Sequence, residues 1–374
     1  MSVVIVGGGL MGLSAAFHLR RADPAVAVTV LERARVGSAA SGASAAGVRV
    51  MGRDPAERRL ALESLGRWLG LDRELEADTG YRYGGGLRVA LDDKAWRAAP
   101  DWVAEQCADG VPLETVDAAS ARRLAPGITP GCLGGVYSSI DGHAGAMATV
   151  EAFAAAARRL GARIEEGVGV KRLVAERGRV VGIERGDGTR QPCAVAILTA
   201  GAWTSSLLAG LGVKLPLHTR PLQMLLTEPG PGALAPVVGC FDRKLSLKQL
   251  DGGAYLIGGG WPARIADHET NRWDVLDDSV KGSLEVAGEV YPALTDCKLA
   301  ESWAGLEAFT PDDLPVIGPV PGVDGVLVAA GFSGHGFALT PVVGDVLARL
   351  ALGRDALEHL WCDLRFDRPA LAGS

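Results

Sequence analysis

The spacing of apolar and polar positions changes several times along this chain, and each change marks an element. Residues 2–6 (SVVIV) are an unbroken run rich in Val and Ile, the composition of a buried parallel strand. Leu10–Arg21 continues with helical spacing, and Val26–Leu31 reads as a second strand. Glu57–Ala77 is amphipathic and predicts a helix whose core stripe holds Leu65, Trp68, Leu69 and Leu75. Val150–Leu160 predicts an Ala-rich helix. ARIEE, VKRLVAE, RVVGIER and AVAILTAG then read as successive strands, with a turn at GDG (186–188). Residues 245–261 (LSLKQLDGGAYLIGGGW) alternate on both sides of an Asp-Gly pair, a strong hairpin signal. Residues 326–353 read as strand, glycine-crowded loop and helix, repeating near the end the organisation of the opening unit.

Composition narrows the class. The 374 residues suggest two or three domains' worth of chain. With 48% hydrophobic and 22% charged residues, the chain has the balance of a soluble globular protein. The net charge, 38 − 44 = −6, argues against nucleic acid or an anionic membrane as the main partner. No apolar run reaches the ~18 residues of a transmembrane segment, and a strand beginning at residue 2 or 3 leaves no room for a signal peptide. Cys107, Cys132, Cys193, Cys240, Cys297 and Cys362 are scattered without a CxxC pair. They read as reduced thiols of a cytoplasmic protein, with no disulfide frame and no metal site.

The opening unit carries candidate chemistry. Gly7, Gly9 and Gly12 spell G-x-G-x-x-G between strand and helix, and Glu32 stands 20 residues after Gly12 at the end of the second strand. In that pattern Gly7 permits the tight turn and Gly9 lets backbone N–H groups approach a pyrophosphate. Gly12 lets helix pack on strand, and Glu32 accepts from ribose hydroxyls. Glu32 would also repel a 2′-phosphate. Leu10 and Met11 lie inside the glycine run, and Arg33 follows the acid. Residues 33–50 fit neither strand nor helix. A small-residue loop of that length can wrap an extended cofactor and offer Ser38, Ser41 and Ser44 to phosphate. A nicotinamide enzyme would normally proceed to its next βα unit here.

Four stretches together resemble the D-amino-acid-oxidase-type FAD enzymes: residues 31–47 (LERARVGSAASGASAAG), 196–212 (AILTAGAWTSSLLAGLG), 303–319 (WAGLEAFTPDDLPVIGP) and 330–344 (AGFSGHGFALTPVVG). That group includes glycine and sarcosine oxidases and the flavin subunits of proline or opine dehydrogenases. The resemblance spans nearly the whole length in order, and it is specific for the family rather than for one member. It implies an α/β fold: a Rossmann-type, glutathione-reductase-like FAD-binding domain with a mainly antiparallel β-sheet substrate domain. The expected division is 1–80, 140–215 and 302–374 for the cofactor, and 81–139 and 216–301 for the substrate. It implies that the first glycine loop and the segment through Gly47 and Val48 hold the ADP half and the linker of FAD. Val170 would touch adenine, and Ala200, Gly201 and Trp203 the second pyrophosphate side. The stretch Gly331, Gly334, His335, Gly336, Phe337 and Ala338 would hold the isoalloxazine. Reduction leaves negative charge on the N1–C2=O edge of a flavin, and a helix N-terminus stabilises such an anion. Gly305 stands where some members carry a cysteine, so FAD is expected to be non-covalent.

The resemblance implies oxidation of a C–N bond by hydride transfer to flavin N5, giving an imine from an amino acid or secondary amine. The candidates for the chemistry are Arg49, Lys248, Tyr255 and His335. Arg49 follows the wrapping loop, and the backbone of His335 counts at least as much as its ring. Of Lys248, Tyr255 and Trp261, one is expected to face the pocket, and alternation does not say which. Trp303 is expected to pack the flavin edge, His143 to be structural and His18 to face solvent. The family pattern breaks at Glu307, where relatives often carry a carboxylate-binding arginine, and at Ala338, where sarcosine-oxidase-like members carry a lysine. The oxygen-reactive lysine of those members would fall near Leu256. Either Arg49, Arg53 or Lys248 then anchors a carboxylate, or the substrate is a larger secondary amine, an imino acid or a cationic amine. The alternatives are a hydroxy-acid or glycerol-phosphate dehydrogenase on the same frame, and a flavin subunit of a hetero-oligomer.

Overall fold

A computed structural model describes residues 1–372. Its six-stranded sheet runs Val316–Pro319, Val326–Ala330, Val195–Leu198, Ser2–Val6, Ala27–Glu32 and Arg163–Glu166 in spatial order. All neighbours are parallel except the first pair. Strands from the start, middle and end of the chain thus lie side by side, and the two glycine loops leave the same edge of the sheet. Behind it the helices Leu10–Ala22 and Gly336–Ala351 touch. The Ser14 hydroxyl donates to Thr340 O at 2.9 Å, and a Cβ on Gly344 would collide with Ser14. His18 is buried in this packing rather than solvent-facing, with 5% exposure, and burial takes its pKa down to about 4.

The helix predicted from residue 57 begins at Pro55, capped by the Asp54 carboxylate, and ends at Leu75. Leu65, Trp68, Leu71 and Leu75 form its buried stripe, whereas Leu69 is 66% exposed. One helical step past Trp68 turns a side chain about 100° away from the core, so the stripe passes through Leu71 instead. Trp68 stacks on Phe337 at 5.5 Å, and its indole donates to Ala338 O at 2.9 Å. Trp68→Ala is therefore expected to cost about 3–5 kcal/mol, and Leu69→Ser to stay within about 0.5 kcal/mol. Urea unfolding of the two variants measures both.

The four strands read after residue 160 divide between two sheets. Arg163–Glu166 and Val195–Leu198 join the six-stranded sheet, while Val170–Glu176 and Arg179–Arg185 form a separate meander with Arg190–Pro192. The segment 33–50 is not wholly irregular: it contains a short helix, Ala40–Ala43, and a strand, Gly47–Val48, paired with Gly142–His143.

The second large sheet has eight strands, in the order Leu299–Phe309, His218–Pro229, Ala254–Gly258, Ser246–Gln249, Val237–Cys240, Gly86–Ala90, Gly134–Ser138 and Leu113–Asp117. It is antiparallel except where Val237–Cys240 meets Gly86–Ala90. The Asp-Gly hairpin forms with Ser246 opposite Gly258. One face of the sheet packs its own core, including Leu225, Leu247, Tyr255, Ile257 and Tyr291. The other face turns toward the glycine loops.

Candidate active site

Two cavities lie end to end along the line between the glycine loops. The first, about 770 Å³, is lined by Gly7, Gly9, Glu32, Arg33, Ser38, Ser41, Val170, Ala200, Gly201 and Trp203. The second, about 1030 Å³, is lined by Ser44, Gly47, Arg49, Gly334, His335 and Phe337, with the eight-stranded sheet as its roof. Ala40 borders both, so the two cavities adjoin at the 33–50 segment.

Local chemistry explains the first cavity. A Cβ on Gly7 would strike Thr199 O, and one on Gly12 would strike Gly7 O, so close packing requires both glycines. The Glu32 carboxylate accepts from Gly8 N at 2.7 Å and from Ala34 N at 2.9 Å. Ser41 Oγ accepts from Leu10 N at 3.0 Å, tying the wrapping segment to the helix start. Arg33 lies 3.6 Å over the Trp203 ring, and burial lowers its pKa. Among the described residues four glycines have no protein atom within 4 Å of where a Cβ would stand and line these cavities: Gly47, Gly201, Gly260 and Gly334. Their backbones face open space, which is what a cradle for a close-fitting ligand looks like. An adenine dinucleotide in the first cavity and a planar ring at Gly47, Gly334 and His335 fit this shape.

Not every sequence candidate reaches the space. Met11, Gly12, Val48, Gly331, Gly336 and Ala338 sit just behind it. Val48 and Ala338 are fully buried, and the Ala338 carbonyl accepts from Ser64 and Trp68. Tyr255 is on the wrong face of its strand: it is fully buried, and its hydroxyl donates to Pro231 O in the sheet's own core. Lys248 has the opposite orientation but stops short. Its Nζ donates to Ala144 O at 2.9 Å, and burial lowers its pKa to about 8. Trp261 donates to Lys244 O and packs over Gly282. None of these three lines either cavity; the hairpin contributes Leu245, Ser246, Gly259 and Gly260 instead. Trp303 braces the wrapping segment through a 3.0 Å bond to Ala43 O. His143 pairs its backbone with Gly47.

His335, by contrast, is central. It caps the closing helix, and its Nδ1 lies 3.2 Å from Oε2 of Glu57, which is fully buried. Burial and the nearby Arg53 charge lower the His335 pKa. Burial opposes ionisation of Glu57, but the His335 hydrogen bond and Arg53 hold its pKa below the usual value. Arg53 donates to His335 O at 3.2 Å and to Arg49 O at 3.3 Å, and burial beside Arg49 brings its pKa down to about 10. Arg49 donates to Met51 O at 2.7 Å and borders the cavity.

No motif or periodicity marks Arg88. It projects from Gly86–Ala90 into the cavity wall, with its guanidinium 5.1 Å from the Phe241 ring and 5.8 Å from Trp102. Burial, with Arg49 nearby, lowers its pKa. Its one hydrogen bond is to Cys240 O at 3.3 Å, and no carboxylate pairs with it among the described residues. On another wall Gly305, Glu307 and Phe309 point inward from alternate positions of one strand. Glu307 takes a hydrogen bond from Gly334 N–H, yet burial dominates and raises its pKa. Arg220, opposite it in the register, lies 4.6 Å over Phe309 and makes no ion pair with Glu307.

A Rossmann-type sheet, a phosphate loop at one end and a second glycine loop under an antiparallel roof define a flavin-dependent oxidoreductase. The chain belongs to the DAO family of FAD dependent oxidoreductases, whose model matches residues 2–350. It is 30% identical to a glycine oxidase from Pseudomonas putida over 95% of each chain. It is 25% identical to sarcosine oxidase subunit beta from Rhodobacter capsulatus, over 93% of this chain and 84% of that one. The structure of L-proline dehydrogenase from P. horikoshii superposes with a TM-score of 0.87 at 26% identity, covering 96% of each chain. FAD is the cofactor of this family, and the residues present fit it.

Proposed function

We propose that this enzyme oxidises the C–N bond of an amino acid or amine, holding the substrate nitrogen at Glu307 and an anionic group of the same substrate at Arg49 and Arg88. The observation that carries this reading is Glu307 itself, a carboxylate turned into the cavity beside Gly334 with no cation paired to it. A protonated amine completes that site, whereas a hydroxy acid brings nothing to it and adds repulsion. Bound FAD supplies the two-electron acceptor; the chain's own groups bind, orient and exclude water.

The spacing of the walls favours one substrate shape. The strands carrying Glu307 and Arg88 are five steps apart in the sheet, about 24 Å at the backbone. Side-chain reach and sheet curvature shorten that span, but an α-amino acid offers only ~2.5 Å between its nitrogen and carboxyl carbon. An amine whose acid lies several bonds away fits better. Anaerobic titration of the purified yellow protein tests the reading: 4-methylaminobutanoate and sarcosine should bleach the flavin, the former at lower concentration, and lactate and glycerol 3-phosphate should not. Bleaching by the hydroxy compounds alone would reverse the assignment.

The cofactor part is 1–80, 140–215 and 302–374 and the substrate part 81–139 and 216–301, with the strand Leu299–Phe309 crossing between them in the roof sheet. Six free thiols suit the reducing cytoplasm, and no helix among the described residues is long and apolar enough to cross a membrane. The similarity to a chain named as a subunit supports assembly with a second polypeptide, which light scattering of co-expressed material would reveal.

A further inference from the structure

We infer that Glu307 is the proton acceptor for the substrate amine, a catalytic role that deepens, and rests on, the amine-oxidising assignment of this cavity. Three structural features place it there. Its side chain shares the inward face of one strand with Gly305 and Phe309, so the strand's alternation aims it at the reaction space. It lines the same cavity as Gly334 and His335, in the loop that would bound the flavin end, and the Gly334 N–H favours its ionised form. No cation pairs with it among the described residues: Arg220, the nearest in register, is drawn over Phe309. Arg53 is committed to the carbonyls of His335 and Arg49, and His335 turns its Nδ1 to Glu57.

Amines arrive largely protonated at neutral pH, and an ammonium has no lone pair to assist loss of a hydride from its carbon. In the proposed step the N–H bond of the ammonium breaks and the proton passes to a Glu307 oxygen. The bonding pair remains on nitrogen as its lone pair. The nitrogen lone pair can then form the C=N bond as the Cα–H bond breaks, and bound FAD would supply the two-electron acceptor for the departing hydrogen and its electron pair. Charge and electrons balance with FAD as the sole oxidant. Burial raises the pKa of Glu307 against the opposing Gly334 hydrogen bond, which narrows the gap between base and amine and makes the transfer less uphill. The other ionisable groups bordering the same space are Arg49, Arg53, Arg88, Asp141, Arg220 and His335, with Glu57 behind His335, and Cys240, Asp242, Arg243 and Lys244 along the roof.

The test uses the flavin-loaded enzyme and Glu307→Gln, which keeps the volume and an oxygen for Gly334 N–H. Anaerobic stopped-flow bleaching by 4-methylaminobutanoate and by sarcosine is followed from about pH 6 to about pH 10. Loss of a general base predicts a limiting rate at least roughly a hundredfold lower near neutral pH. The deficit should shrink as rising pH delivers free amine, so that the variant tracks the amine's own ionisation. Rates within about threefold of the parent at every pH overturn the proposal. Binding gives a second readout that needs no turnover. The flavin spectrum is titrated with 4-trimethylammoniobutanoate, a permanent cation, and with hexanoate, which has none. Glu307→Gln should weaken the first and leave the second unchanged or tighter; equal shifts in both indicate a structural role and also overturn it. If the Gln variant loses its flavin, Glu307→Asp replaces it, with a smaller rate loss and a retained acid limb expected, and a lost limb counting against the inference. A parent enzyme that no amine bleaches is a different failure, that of the amine assignment, because both proteins would then be silent.

Discussion

Gly47→Val is expected to give a folded protein that purifies without its yellow colour. Gly47 lies in the two-residue strand paired with Gly142–His143, and no protein atom stands within 4 Å of where its Cβ would be. Valine suits a strand, and replacing glycine removes freedom from the unfolded chain. The protein alone should therefore change by less than about 1 kcal/mol. The added methyl groups enter the cavity between Ser44 and Arg49, where the cofactor has to pass. A ligand wrapped this closely cannot retreat from a branched side chain, so flavin content should fall by at least roughly tenfold, about 1.4 kcal/mol in binding. The measurements are visible absorbance per polypeptide and a melting curve compared with parent protein stripped of flavin. Full flavin content in Gly47→Val would show that the cofactor does not run beneath this segment.

Arg88→Met should raise KM for carboxylated amines by about tenfold to a hundredfold while leaving amines without an acid nearly unchanged. The guanidinium is half-buried between two rings, and burial lowers its pKa because no anion compensates it. Charge-assisted hydrogen bonds from such a group to a carboxylate are worth about 1.5–3 kcal/mol. Methionine keeps the apolar stem and can still pack against Trp102 and Phe241. Since the variant removes an uncompensated buried charge, the substrate-free enzyme should melt at the same temperature or higher. A structural arginine would behave oppositely, lowering the melting temperature and affecting all substrates alike. Steady-state kinetics on paired amines with and without the acid, beside calorimetry, separates the two.

The cofactor end was the more legible part of this sequence because its signature is local. Gly7, Gly9, Gly12 and Glu32 stand at fixed spacing within one strand-helix-strand unit, although the atoms a Cβ would meet at Gly7 and Gly9 belong to Thr199 and Ser41 beyond it. The roof is different. Alternation along 245–261 correctly divides the hairpin into two faces, but nothing within it says which face meets its own core. That is settled by Tyr291, beyond the hairpin, which packs on Tyr255 at 5.6 Å. Arg88 escaped notice for the same reason. Its surroundings, Cys240 and Phe241, come from a strand some 150 residues away that pairs in parallel with its own. Glu307 was visible only as a break in a family pattern; its Gly334 contact turned the break into a site.

The pairing of the chain's two ends has a consequence for biosynthesis. The nucleotide loop at Gly7–Gly12 emerges from the ribosome long before the helix that packs against its own, Gly336–Ala351. A nascent chain arrested anywhere before that helix lacks both a partner for Ser14 and the far wall of the cradle. Coenzyme capture is thus tied to synthesis of that helix, and products stopped before it should be recognised by quality control as coenzyme-free.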